Sequence, residues 1–131
     1  MASSKTLNTQ VAWICVHNHQ SAKLEDKVPD LDNLSSEWHK ICAEGLSTLL
    51  EVDKLAEQFN LSGKWLVFIS SDEVDNLWGR VVKSTLAGTL RISAKISTRD
   101  EEDLDFRHVI CVYNADYRSM VEVNRVRDGL R

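Results

Sequence analysis

In the run VAWICVHNH, Cys15, His17 and His19 fall at alternate positions. If the run is a β-strand, all three project from one face, where a thiolate and two imidazoles could hold a transition metal. Zinc sites are usually closed by four ligands, however, and no second Cys/His pair stands at a matching spacing. Cys111, in another strand-like run, is the one further partner. No metal is expected, and His17 and His19 read as solvated imidazoles beside a buried thiol. Nucleophilic chemistry is no better supported. The chain has no Gly-x-Ser-x-Gly, phosphate loop, dinucleotide fingerprint or Cys-x-x-Cys. A Cys–His pair would have to join Cys15 or Cys111 to His108, all in apolar runs where a thiol stays inert. No enzyme and no cofactor are expected. The acidic run from Arg99 to Asp105 lacks the central Gly and terminal Glu of a calcium loop, and reads as a solvated turn.

Cations offer more. In TLRISAKIS, Arg91 and Lys95 share one face of an alternating strand, and Arg107, at the start of FRHVICVY, is expected beside them. They could bind an anion or a phosphate on an open sheet face. The same alternation also suits a face that is merely solvated. A net charge of −4 argues against a general nucleic-acid coat protein, whose affinity rests on many phosphate contacts. The charge is uneven, though, because four arginines lie between Arg118 and Arg131 against only Glu122 and Asp128.

These side chains need a scaffold. At 131 residues, 43% hydrophobic and 27% charged, the chain suits one ordinary globular domain, assigned to residues 11–131 behind a frayed tail at 1–10. No apolar run approaches the roughly 18 residues of a membrane span. Three cysteines in apolar runs read as buried free thiols, which points to a cytoplasmic protein with no membrane partner. VAWICVH is the first strand, residues 18–34 a long polar loop, and Ser35 or Ser36 the cap of a helix carrying Trp38, Ile41 and Cys42. Gly45 marks the helix end, and a second apolar face follows over Leu49, Val52, Leu55, Ala56 and Phe59, as a separate helix or one kinked helix. KWLVFIS, nearly all apolar, reads as a central strand. Asp72 then caps a helix whose Val74, Leu77, Trp78, Val81 and Val82 make one stripe, closed by Gly88. Two more strands and a last helix, capped by Asp116 and presenting Tyr117, Met120, Val126 and Leu130, complete the order β-α-α-β-α-β-β-α. Trp65 and Trp78 are therefore assigned to the core. The fold class is α+β: a mostly antiparallel sheet with helices on one face.

GKWLVFISSDEVDNLWGRVV, LAGTLRISAKIS and HVICVYNADYRSMVEVNRVRDGLR, with VAWICV before them, resemble the family of the basophilic leukaemia-expressed protein. The likeness covers most of residues 11–131. It implies a curved sheet like that of translation initiation factor 4E, the messenger-RNA cap-binding protein. Gly63-Lys64-Trp65-Leu66, Trp78 and Ala94-Lys95 stand where that factor has matching residues, and Trp13 and Trp38 resemble tryptophans of its first strand and first long helix. The cap sandwich is not implied. The loops that should supply its two stacking tryptophans read EQFNLS and HNHQSAKLEDK, and Ser93 replaces a phosphate-binding arginine. The expected function is a binding module for a nucleotide or RNA on the concave sheet face, through Arg91, Lys95, Arg107, His17 and His19. The alternative is a protein-interaction domain whose helical face, around Trp38, Arg125 and Arg127, docks a protein partner.

Overall fold

The computed structural model describes residues 3–19, 30–59, 61–90 and 93–131. Four strands, β1 (Trp13–His17), β2 (Gly63–Ile69), β3 (Ser93–Ser97) and β4 (His108–Asn114), form one sheet in the order β1-β3-β4-β2, every pair antiparallel. Four helices, α1 (Leu31–Ala43), α2 (Leu49–Gln58), α3 (Val74–Leu86) and α4 (Met120–Leu130), complete the α+β fold in the expected order. Among the described residues, no helix is long and apolar enough to cross a membrane.

One face of the sheet is closed by α3 and α4. Val74, Trp78 and Val81, spaced along one stripe of α3, pack with Ala94 and Ile96 of β3, Ile110 and Val112 of β4, Leu90, and Val126 of α4. Trp78 is buried in this cluster. Trp65 packs against it while its indole Nε1–H donates to the Val123 carbonyl at 3.2 Å. Both tryptophans of the GKW…LW stretch are core residues.

The strand order corrects one expectation. The apolar run KWLVFIS is an edge strand, not a central one; β4 is central and buried at five of its seven positions. β2 alternates instead, so Leu66 and Phe68 turn outward and are exposed. An apolar run reports burial on both faces only if neighbours exist on both faces, and among the described residues β2 has sheet on one side and no layer over its outer residues.

Helix starts also move. Asp30, not Ser35 or Ser36, caps α1, accepting from the Asn33 amide at 3.1 Å, so α1 begins inside the expected loop. Thr48 caps α2, which is separated from α1 by Gly45 at φ 69°. α3 starts behind Glu73 with no side-chain cap, and Asp72 does not serve. Ser119 caps α4, while Asp116 accepts instead from Arg118, whose guanidinium holds its carboxyl below the usual range. With that later start, Met120 is exposed rather than part of the apolar face.

Residues 3–10, read as a tail, hold a 3₁₀ turn at Ser3–Lys5 and a bridge between Leu7 and Arg99. Ser3 is fully buried, donating to the Ser97 carbonyl at 2.7 Å. Burial raises the Asp75 carboxyl, but hydrogen bonds from the Ser4 hydroxyl and amide outweigh it, and with His108 nearby the carboxyl lies below its usual range.

Candidate functional site

The outer face of the sheet is built by alternation. Strand register lines up three rows across β1, β3, β4 and β2. The first holds Trp13, Ser97, Val109 and Phe68; the second Cys15, Lys95, Cys111 and Leu66; the third His17, Ser93, Tyr113 and Lys64. Trp13, Leu66 and Phe68 remain 38%, 47% and 58% exposed, so no described element covers the ends of the face. The Lys95 ammonium sits 4.1 Å from the centroid of the Trp13 ring, a cation–π contact between neighbouring strands. None of the four strands contains an Asp or Glu, in a chain whose net charge is −4. The face therefore combines exposed aromatic and apolar groups with Lys95, Lys64 and His17.

The expected site residues are only partly brought together. Lys95 lies at the centre of the face and is half-buried. His17 ends β1 on the same face, opposite Ser93, and His19 lies exposed beyond the strand. Arg91 lies outside the described residues. Arg107 is exposed but precedes β4, four residues before Cys111, the residue paired with Lys95. At about 3.3 Å per residue that is roughly 13 Å along the sheet, so Arg107 and Lys95 are not neighbours. Trp38 is on α1, where it lines an apolar groove against α2. Arg125 and Arg127 do not line that groove. Arg125 donates to the Gly88 carbonyl at 3.1 Å, and Arg127 pairs with Asp128 at 2.9 Å.

The cysteines behave differently from expectation. All three are free, but only Cys111 is buried; Cys15 faces outward on an edge strand and Cys42 lies exposed on α1. The Cys–His pair does not form, because His108 points to the helix-covered face while Cys15 and Cys111 point to the other. Among the described residues, no group of three or more His, Cys, Asp or Glu could hold a metal.

His108 is a polar hub that the sequence concealed. It is fully buried, its Nδ1 lies 2.8 Å from the Ser97 carbonyl and 3.1 Å from the Ser3 hydroxyl, and its Nε2 lies 3.0 Å from the Ser71 hydroxyl. Phe106 meets the ring edge-on, 4.8 Å between centroids. Donation from Nδ1–H to the carbonyl leaves Nε2 to accept from Ser71. The imidazole thus ties the N-terminal turn, β3, β4 and the start of α3 together.

Trp13 and Phe68 were also missed as face residues, since only strand pairing places them in one row beside Lys95. The usable signal was parity: Trp13, Cys15 and His17 share one face of β1, opposite Ile14 and Val16.

Fold and face together define an α+β protein with one sheet face covered by helices and the other left uncovered by the described residues. Residues 38–131 match the model of the basophilic leukemia-expressed protein Bles03 family. The chain belongs to that family. The match begins at Trp38, so β1 with Trp13 precedes it while β2, β3 and β4 lie inside it.

Proposed function

We propose that this protein is a non-catalytic, cytoplasmic binding module. It takes a single-stranded RNA segment or a nucleotide on the open sheet face, on a scaffold of the initiation-factor-4E type. The observation that carries this is the exposed Trp13 with the Lys95 ammonium over its ring, on strands free of carboxylates. An exposed indole offers a stacking surface to any base, and an adjacent ammonium serves the phosphate beside it. Phe68, in the same row, would meet a neighbouring base, and Lys64 and His17 would meet the backbone further along. Cap recognition is not part of the proposal, because the loop before Gly63 has no tryptophan to close a sandwich.

The test is a polarisation titration of labelled short RNA, with mononucleotides and a cap analogue as competitors. Base stacking is worth about 1–3 kcal/mol, so Trp13→Ala is expected to weaken RNA binding roughly 5- to 150-fold. Lys95→Ala is expected to lower the salt dependence by about one ion. Absence of RNA binding at moderate salt, or full affinity in Trp13→Ala, would remove the proposal. A strong preference for the cap analogue would overturn its non-cap part.

A further inference from the structure

β2 ends the sheet without the devices that usually close an edge. The strand order leaves it with β4 on one side and, among the described residues, no strand on the other. An edge strand presents a row of unpaired amides and carbonyls, which proteins guard with proline, inward charges, bulges or a very short strand. β2 has none of these. It runs seven residues, its register with β4 is unbroken from Gly63↔Asn114 to Ile69↔His108, and Lys64 is its single charged residue. β1, at the other edge, has only five residues. Cover over β2 is incomplete on both faces as well. Leu66 and Phe68 are exposed on the outer face, and Trp65, Val67 and Ile69 on the helix side are only half-buried. Their neighbours on β4, His108, Ile110 and Val112, are fully buried.

The sequence of β2 decides what can complete it. Consider two copies of the strand, antiparallel about a two-fold axis at Leu66, the central residue. Leu66 then meets Leu66, Trp65 meets Val67, Lys64 meets Phe68 and Gly63 meets Ile69. Apolar side chains oppose apolar ones, and each ammonium opposes an aromatic ring instead of another charge. Other registers are poorer. An axis at Trp65 leaves Phe68 and Ile69 unpaired, one at Val67 leaves Gly63 and Lys64 unpaired, and one at Lys64 sets two ammoniums face to face. No carboxylate enters the pairing, and Asp72 and Glu73 fall beyond its ends, so acidic groups do not oppose contact. Opposed residues share a sheet face, which keeps both helix layers on one side.

We propose that β2 pairs antiparallel with β2 of a second copy of this chain, about an axis at Leu66, joining the two sheets into one. A single strand pair covers less than a standard interface of about 1,200–2,000 Å², so the dimer exchanges with monomer and its population rises with concentration. The proposal does not rest on RNA binding.

The test is sedimentation velocity of the full chain, without RNA, over a concentration series. The wild type is expected to shift from monomer to dimer, and its β2 amides to exchange more slowly as the dimer fills. Leu66→Lys places two ammoniums together on the axis and should weaken dimerisation at least about tenfold. The register is tested by a pair of variants at Phe68, whose exposure leaves the monomer's packing intact. Phe68→Lys opposes Lys64 of the second copy with a like charge and should abolish the dimer. Phe68→Glu opposes it with a carboxylate, so the dimer should persist at low salt and weaken as salt rises. Circular dichroism of each variant checks that the monomer is folded. A wild type that stays monomeric at every concentration, equal behaviour of Phe68→Lys and Phe68→Glu, or concentration-dependent protection in β1 instead of β2 would each overturn the proposal.

Discussion

Gly63→Ala should destabilise the protein, although alanine is ordinarily the better strand residue. A Cβ built at Gly63 would lie 2.6 Å from Tyr117 Cβ and 3.1 Å from Asn114 Oδ1. Tyr117 Cβ is fixed to the backbone and cannot swing aside like the end of a long side chain. Asn114 is buried and paired with Gly63 across the β2–β4 ladder, so it cannot yield without disturbing β4. Overpacking of this kind costs about 1–3 kcal/mol. The loss of unfolded-state freedom on replacing glycine returns about 0.4–1 kcal/mol. The net is a loss of about 1.3 kcal/mol at the middle of the two ranges and at most about 2.6 kcal/mol, with the clash deciding the sign. At about 2.1 cal/mol/K per residue of unfolding entropy, Tm should fall by roughly 5 °C and by no more than about 9 °C. Gly79→Ala is the matched control: the position lies inside α3, and its new Cβ would meet nothing within 4 Å. There helix propensity governs, and a gain of about 0.5–1 kcal/mol should raise Tm by roughly 2–4 °C. Scanning calorimetry of both variants measures the two signs. Hydrogen exchange supplies a second readout, because displacing Tyr117 loosens its bond to Asp53 and should speed exchange in α2 of Gly63→Ala. An unchanged or raised Tm for Gly63→Ala would refute the packing account of the Gly-Lys-Trp motif.

Trp78→Ala removes a buried tryptophan from the core and should cost about 3–5 kcal/mol, read as a lower urea midpoint with an unchanged slope. The carboxyl of Asp75 is depressed in the folded state, so its contribution is present above the usual carboxylate pKa and disappears as pH falls through the folded value. Asp75→Asn should therefore lower the urea midpoint at about pH 7, and the deficit should shrink as pH falls below the usual carboxylate range. A deficit that persists undiminished in acid would mean that charge is not the cause.

Local sequence determined most of the element list. Apolar stripes at helical spacing identified α2 and α3, two-residue alternation identified β3, and Gly45 and Gly88, at φ 69° and 78°, ended the helices before them. The core placement of Trp65 and Trp78 followed from the same periodicities. Caps were less legible because several Asp and Ser residues competed at each start, and only the chain's path decided that Asp30 and Ser119 would serve. Strand order was not legible at all. An apolar run such as KWLVFIS carries no record of how many neighbours it has, so its edge position and the exposure of Leu66 and Phe68 came only from the pairing of β2 with β4 alone. The His108 hub joins residues 3, 71, 97 and 108, which no local pattern connects. Lys95 could be assigned to a sheet face from alternation, because side-chain direction in a strand is a local property. That Trp13 would be its neighbour, and Arg107 would not, is a matter of register between distant strands, and only the folded sheet settles it.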